Sequence, residues 1–137
     1  MDARSRLAFL ALVLTQAAHS VEEYVFKLND VFTLSRYVSG LLSNDPATGF
    51  IIFSVALILF GLWCYLGPVR NGHRSARIWV WVWIIMQMVN GIGHLIISLV
   101  QGAYFPGAAT APLLLIIAVY LWLKVGRVLP LQRSCQG

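Results

Sequence analysis

The chain has 137 residues, of which 59% are hydrophobic and only 11% are charged, and its formal net charge is +5. This length suits one domain of modest size, so we treat residues 1–137 as a single domain. A soluble protein this apolar would expose large sticky patches, so the composition argues against a soluble enzyme and favours a membrane protein. The membrane orientation described below accounts for the positive charge, and nothing else in the sequence indicates a nucleic-acid partner.

Four apolar blocks follow one another along the chain and predict an all-α bundle of four transmembrane helices. The blocks are Leu7–Val21, Gly49–Leu66, Ile78–Val100 and Ala103–Leu123. Each lacks Asp, Glu, Lys and Arg, and approaches or reaches the ~20 residues that a helix needs to cross a bilayer. Only helices and closed barrels satisfy backbone groups inside hydrocarbon, and the blocks are far too long for barrel strands. The predicted helices cover approximately residues 5–27, 48–67, 76–102 and 107–127.

The basic residues predict how these helices are oriented. Eight of the ten lie before helix 1, between helices 2 and 3, or after helix 4: Arg4, Arg6, Arg70, Arg74, Arg77, Lys124, Arg127 and Arg133. Only Lys27 and Arg36 fall on the other side. The positive-inside rule therefore places both termini in the cytoplasm, and we expect a multi-pass protein of the plasma (inner) membrane.

Residues 1–20 also have features of a secretory signal: early arginines, an apolar run, and small residues at Ala17 and Ala18. Cleavage there would leave three helices. The apolar character continues to Phe26, past the usual end of a signal, which favours a retained first helix.

The longest connection covers about residues 28–48 and lies on the outer side of the predicted bundle. Between residues 30 and 42, apolar side chains recur at helical spacing among polar ones. This pattern predicts a short amphipathic helix on the outer membrane surface. The helix is either a surface connector or a lid over a cavity below it, and the sequence leaves both open.

Helices 1 and 3 bring ionisable side chains to a similar depth in the outer half of the bilayer. From the start of its apolar block, His19 lies ~18 Å along helix 1, and Glu22 and Glu23 lie ~23 Å along it. His94 lies ~24 Å along the apolar block of helix 3. Ionisable groups inside a membrane are costly and need a partner or a function. We therefore expect these four side chains to share one site.

One face of helix 3 carries nearly all of its polar groups. At 100° per residue, the directions of these side chains span about 80°. Such a face looks into the protein or a cavity rather than at lipid. We expect Gln87 and Asn90, with Gln16 of helix 1, to support the site, and Trp83 to form an aromatic wall of the pocket. The full stripe is Trp79, Trp83, Gln87, Asn90, His94 and Gln101.

Three interpretations of the cluster stay open. Two histidines and one or two carboxylates can bind a single divalent zinc or iron ion, with His19, Glu22, Glu23 and His94 as candidate ligands. Alternatively, Glu22, Glu23 and His94 act without metal as catalytic acid–base groups on a lipophilic substrate. In the third interpretation the side chains join helices through hydrogen bonds worth roughly 0.6–2 kcal/mol each, and Glu23 pairs with Lys27.

Three short motifs, in this order, resemble the signature of the HXXEE family of small membrane proteins. They are His19-x-x-Glu22-Glu23, His94 and Tyr104-x-Pro106-Gly107. Their order and spacing fit along essentially the whole chain. The resemblance implies a multi-pass membrane protein with these characteristic residues, and it supplies no substrate, metal or reaction. We expect Tyr104 to hydrogen-bond a carboxylate and Pro106-Gly107 to set a turn.

The sequence thus predicts a membrane-embedded enzyme or binding protein for a lipophilic small molecule, with a His/Glu site for one divalent metal. The rival prediction is a non-catalytic membrane helper or a small transport component, in which the cluster is structural or a proton path. In both cases the lipid bilayer surrounds the protein, and the sequence indicates no oligomeric state.

Overall fold

The computed structural model describes residues 1–126. The regular secondary structure in this range is entirely helical, with no strand. The helices are α1 (Ala3–Val25), α2 (Leu28–Val31), α3 (Thr33–Gly40), α4 (Pro46–Cys64), α5 (Ala76–Gln101) and α6 (Ala111–Gly126), and a π-helical turn (Tyr65–Val69) extends α4. The predicted all-α class is confirmed. Arg127, Arg133 and the predicted end of helix 4 at residue 127 lie outside the described residues.

Aspartates begin two of the long helices. Asp2 accepts a hydrogen bond from the backbone nitrogen of Ser5, and Asp45 accepts one from Thr48, each at 2.9 Å. These side chains satisfy backbone N–H groups that have no partner within the helix. Pro46 occupies the first position of α4, where its missing N–H removes no helical hydrogen bond.

Two helical segments, Pro46–Val69 and Ala76–Gln101, are long and apolar enough to cross a membrane. The sequence predicted four such helices, so two of the four meet the requirement. The helix α6 is apolar but has only 16 residues, because residues 107–110, which the sequence predicted as the start of this helix, form turns. The helix α1 has 23 residues but carries four charged side chains: Arg4, Arg6, Glu22 and Glu23.

The long helices pack around a core in which Trp83 of α5 is fully buried. Its ring centroid lies 6.0 Å from that of Phe9 and 6.3 Å from that of Phe60. A Cβ atom at Gly61 would lie 2.6 Å from the Trp83 indole, so the glycine lets α4 approach this ring. Contrary to the expectation from the helix 3 stripe, Trp83 therefore belongs to the core and not to a pocket wall.

The connection between α1 and α4 contains the short helix that the sequence predicted, as α3. Lys27, with φ of 55°, separates α1 from α2. The Asn29 side chain connects α2 to α3 and α4 by hydrogen bonds. Its Nδ2 donates to the Pro46 carbonyl at 2.8 Å, and its Oδ1 accepts from the hydroxyls of Ser35 and Ser39. This network holds α3 against the start of α4.

Gly49 is the point of closest approach between α3 and α4. A Cβ there would lie 2.0 Å from the carbonyl oxygen of Ser39, so we expect Gly49→Ala to force the backbones apart and lower the free energy of unfolding by about 1–3 kcal/mol. Gly40→Ala is the matched control, because its Cβ would meet no atom within 4 Å. Thermal unfolding of the purified variants measures both effects, and equal midpoints would contradict this packing.

Candidate metal and acid–base site

Three buried ionisable side chains meet between α1 and α5. His19 and Glu23 lie four residues apart and so share one face of α1, and His94 approaches them from α5. Their exposed fractions are 0%, 7% and 6%, respectively. Their ligand atoms all lie within 4.8 Å of one another. Three of the four residues predicted to share a site are therefore together.

One oxygen of Glu23 faces both imidazoles. Its Oε1 lies 3.0 Å from His94 Nε2 and 3.4 Å from His19 Nε2. The two rings are nearly perpendicular, with centroids 4.8 Å apart. Within residues 1–126 the ion-pair partners of Glu23 are these two histidines, and the alternative pairing with Lys27 is not among them.

The other nitrogen of each ring is held by an oxygen that fixes the tautomer. His94 Nδ1 lies 2.6 Å from the Pro106 carbonyl, which can only accept, so Nδ1 carries the proton. His19 Nδ1 lies 2.7 Å from the Thr110 hydroxyl, whose own proton is donated to Glu22 Oε2 at 2.6 Å. His19 Nδ1 is therefore also a donor. In their neutral forms both rings present a lone pair at Nε2.

Two imidazole lone pairs and a carboxylate oxygen thus converge in a buried place. Three such acceptors repel one another unless a cation lies among them. That cation is either a proton on one of the Nε2 atoms or a metal ion bound by all three groups. Metal-binding histidines commonly donate their other ring N–H to a carbonyl or carboxylate, and His94 does so directly. Two imidazoles and one carboxylate suit zinc or non-haem iron.

Glu22 lies outside this group and binds the connection between α5 and α6. Its Oε1 accepts hydrogen bonds from the backbone nitrogens of Gly107 at 3.1 Å and Ala109 at 3.0 Å, and from the Tyr104 hydroxyl. Its Oε2 accepts from the backbone nitrogen of Thr110 at 2.9 Å and from that residue's hydroxyl. Five donors compensate this carboxylate. Glu22 therefore anchors the α5–α6 connection. It is not one of the three side chains that converge as possible metal ligands.

The expected hydrogen bond from Tyr104 to a carboxylate is present, and its acceptor is Glu22. Partial burial, and then the neighbouring carboxylate, raise the pKa of the Tyr104 phenol to about 12. The phenol therefore keeps its proton at neutral pH and remains a donor to Glu22.

Sequence reasoning missed Thr110, whose hydroxyl joins the two parts of the motif. It donates to Glu22 and accepts from His19, so it connects the anchoring carboxylate to one of the converging imidazoles. The sequence offered no signal for this role, because the predicted helix 4 begins at residue 107 and so includes Thr110.

A cavity of about 470 Å³ lies beside Glu23 and His94. The three polar residues predicted to support the site, Gln16, Gln87 and Asn90, all line it. The helix α3 forms part of its wall, as expected for a lid. Its remaining lining is mainly apolar, from α3, α4 and α5: Leu34, Val38, Phe50, Phe53, Leu57, Met86 and Val89.

These positions carry a family signature. The family described as "Protein of unknown function with HXXEE motif" matches residues 9–121, more than half of the chain. The chain belongs to the HXXEE family. The match includes the HXXEE motif itself, His94, and the turn at Pro106-Gly107. No curated protein and no solved structure matches the chain.

Gly107 is required by both conformation and space. Its φ is 93°, and a Cβ would lie 2.7 Å from His94 Nδ1 and 2.8 Å from His19 Cε1. We expect Gly107→Ala to displace both imidazoles. Gly102→Ala is the matched control, since Gly102 also has positive φ, 61°, but no atom lies within 4 Å of its Cβ position. Histidine ring NMR shifts report the difference, and rings undisturbed in Gly107→Ala would contradict this geometry.

Proposed function

We propose that this protein is a membrane-embedded enzyme or binding protein for a lipophilic molecule, and that His19, Glu23 and His94 bind one divalent metal ion. The observation that carries the proposal is the convergence of the Nε2 atoms of His19 and His94 on Glu23 Oε1, where all three side chains are buried. A cation bound there would compensate both the negative charge of Glu23 and the Nε2 lone pairs of the two neutral imidazoles.

The donor set favours a working centre over a closed structural site. Structural zinc sites have four protein ligands, whereas catalytic zinc sites have three and keep a position for water or substrate. Here three side chains converge, and the cavity lies on the side of Glu23 and His94. A metal in such a site polarises a carbonyl group or lowers the pKa of bound water towards neutrality.

The surrounding residues hold the ligands in place. The Pro106 carbonyl fixes the His94 ring, and Thr110 fixes the His19 ring and is itself held by Glu22. Partners of this kind are worth 10–100-fold in metal affinity in well-studied sites. The α5–α6 connection therefore supports the site. Of the two glutamates of the motif, Glu22 anchors this connection and Glu23 is the candidate ligand.

Metal-free acid–base chemistry is the second candidate, and one distance favours it. His94 Nε2 and Glu23 Oε1 lie 3.0 Å apart, a hydrogen-bonding distance for a protonated imidazole and a carboxylate. The pair would then hold one proton beside the cavity and exchange it with a bound molecule. A proton path through a non-catalytic membrane component would use the same two groups.

We further propose that α1, α4, α5 and α6 all cross the membrane, with both termini in the cytoplasm. Arg77 donates to the Val125 carbonyl at 2.9 Å, which brings the start of α5 to the end of α6. A second cavity is lined by Met1, Arg74 and Lys124, so the N-terminus lies at the same end. The positive charges of three segments are thus gathered at one end, which favours a cytoplasmic position.

The metal prediction concerns stoichiometry. We expect purified protein to contain about one equivalent of zinc or iron, and His19→Ala and His94→Ala to reduce it at least about tenfold, because each removes one of three ligands. His73→Ala is the matched control, because His73 is exposed in the connection before α5. Elemental analysis of folded, monodisperse samples measures the content. No stoichiometric metal in the wild type, or unchanged metal in both variants, would refute the metal site.

The orientation prediction uses two exposed asparagines. In a variant without native cysteines, Asn44→Cys is expected to react with an impermeant maleimide on intact cells, because it lies before α4 on the proposed outer side. Asn71→Cys, between α4 and α5, is expected to react only after permeabilisation. Gel-shift labelling of both variants is the measurement. The reverse pattern would overturn the orientation, and reaction of both on intact cells would overturn the crossing by α4.

A further inference from the structure

Two glutamines in the cavity beside the site have hydrogen-bonding atoms without partners. Gln87 is fully buried, and within residues 1–126 neither its Oε1 nor its Nε2 has a partner. Gln16 is 3% exposed, and its Nε2 donates to the Ser20 hydroxyl at 3.1 Å while its Oε1 has no partner. Buried polar side chains nearly always have hydrogen-bond partners, so a polar group of a ligand or a water molecule is expected beside these amides.

The two glutamines lie at the same distance from the candidate metal site. Gln16 precedes Glu23 by seven residues on α1, and Gln87 precedes His94 by seven residues on α5. Seven residues correspond to about 10 Å along a helix. Ser20 on α1 and Asn90 on α5 lie between these amides and the site, so polar side chains follow one side of the cavity while its other walls are mostly apolar.

The unpaired atoms define the hydrogen-bonding character of the ligand group. Gln87 offers one acceptor and one donor whichever way its amide is turned, and Gln16 adds one more atom of either kind. A hydroxyl both donates and accepts, so it matches Gln87 and either orientation of Gln16. A ketone, aldehyde or ester only accepts, and would leave the Gln87 acceptor unpaired.

The charge of the lining indicates that the ligand has no anionic head group. No Lys or Arg is among the residues that line this cavity, and its ionisable groups are Glu23 and His94 of the site. Burying an unpaired anionic head group there would cost far more than burying a hydroxyl. Phe50, Phe53 and Leu57 of α4 provide an apolar wall that suits a hydrocarbon chain.

We propose that the cavity binds an elongated lipophile with a terminal hydroxyl and no anionic head group. The hydroxyl is held between Gln16 and Gln87, and the hydrocarbon chain lies against the apolar wall of α4. This inference names the ligand class of the proposed site. It rests on the proposed function for any reaction of the ligand, but the binding itself requires only the two amides and the apolar wall.

Decan-1-ol, decane and decanoate are suitable probes, because they share a ten-carbon chain and differ at one end. Binding to the full-length protein in lipid nanodiscs, corrected for empty nanodiscs, is expected to be at least about tenfold tighter for the alcohol than for the alkane or the carboxylate. Gln87→Leu is expected to abolish most of the preference for the alcohol over the alkane. Gln101→Leu is the matched control, since Gln101 is exposed on the same helix and does not line the cavity.

Metal content is measured on the same samples, so that the two proposals can fail separately. Equal affinity of the wild type for the alcohol and the alkane would overturn the ligand inference, as would an unchanged preference in Gln87→Leu, whatever the metal content. Preference for decanoate would overturn it in favour of an anionic ligand. Wild-type protein that prefers decan-1-ol but contains no metal would uphold the ligand class and refute the metal site.

Discussion

The position of two adjacent carboxylates at the end of α1, Glu23 buried and Glu22 half-buried, is the constraint on which the surrounding structure depends. An uncompensated buried carboxylate costs several kcal/mol, which is a large part of the stability of a small protein. Glu22 and Glu23 point about 100° apart around the helix, so no single partner satisfies both. The α5–α6 connection compensates Glu22 with five donors, and α5 brings an imidazole to Glu23.

The α5–α6 connection follows from this constraint. Its backbone N–H groups point at Glu22, which requires turns at residues 107–110, where the apolar pattern alone predicts helix. The positive φ of Gly107 permits those turns, and its missing side chain leaves room for both imidazoles. The same segment shortens α6 to 16 residues. The length of one helix and the geometry of the candidate site are therefore set by the same carboxylate.

Matching depth and helical spacing were sufficient to predict that His19, Glu23 and His94 meet, and that Gln16, Gln87 and Asn90 lie nearby. They were insufficient to separate Glu22 from Glu23, because the roles of two adjacent side chains depend on the rotation of α1 against a distant connection. Trp83 shares the polar stripe of α5, but its burial depends on Gly61 of α4, which no pattern within α5 can show. The start of α6 depends likewise on hydrogen bonds to a residue 88 positions away.

The contrast between the two glutamates argues that the site has a function beyond joining helices. Glu22 shows how this fold stabilises a carboxylate for structural purposes, with backbone and hydroxyl donors on both oxygens. If Glu23 had a purely structural role, we would expect it to accept hydrogen bonds from backbone and hydroxyl donors as Glu22 does. Instead, Glu23 faces the Nε2 atoms of two imidazole rings. The other nitrogen of each ring, Nδ1, donates its proton to the Thr110 hydroxyl in His19 and to the Pro106 carbonyl in His94. This arrangement is favourable when a cation, either a proton or a metal ion, lies among the three groups, which supports the proposed function over a role limited to joining helices.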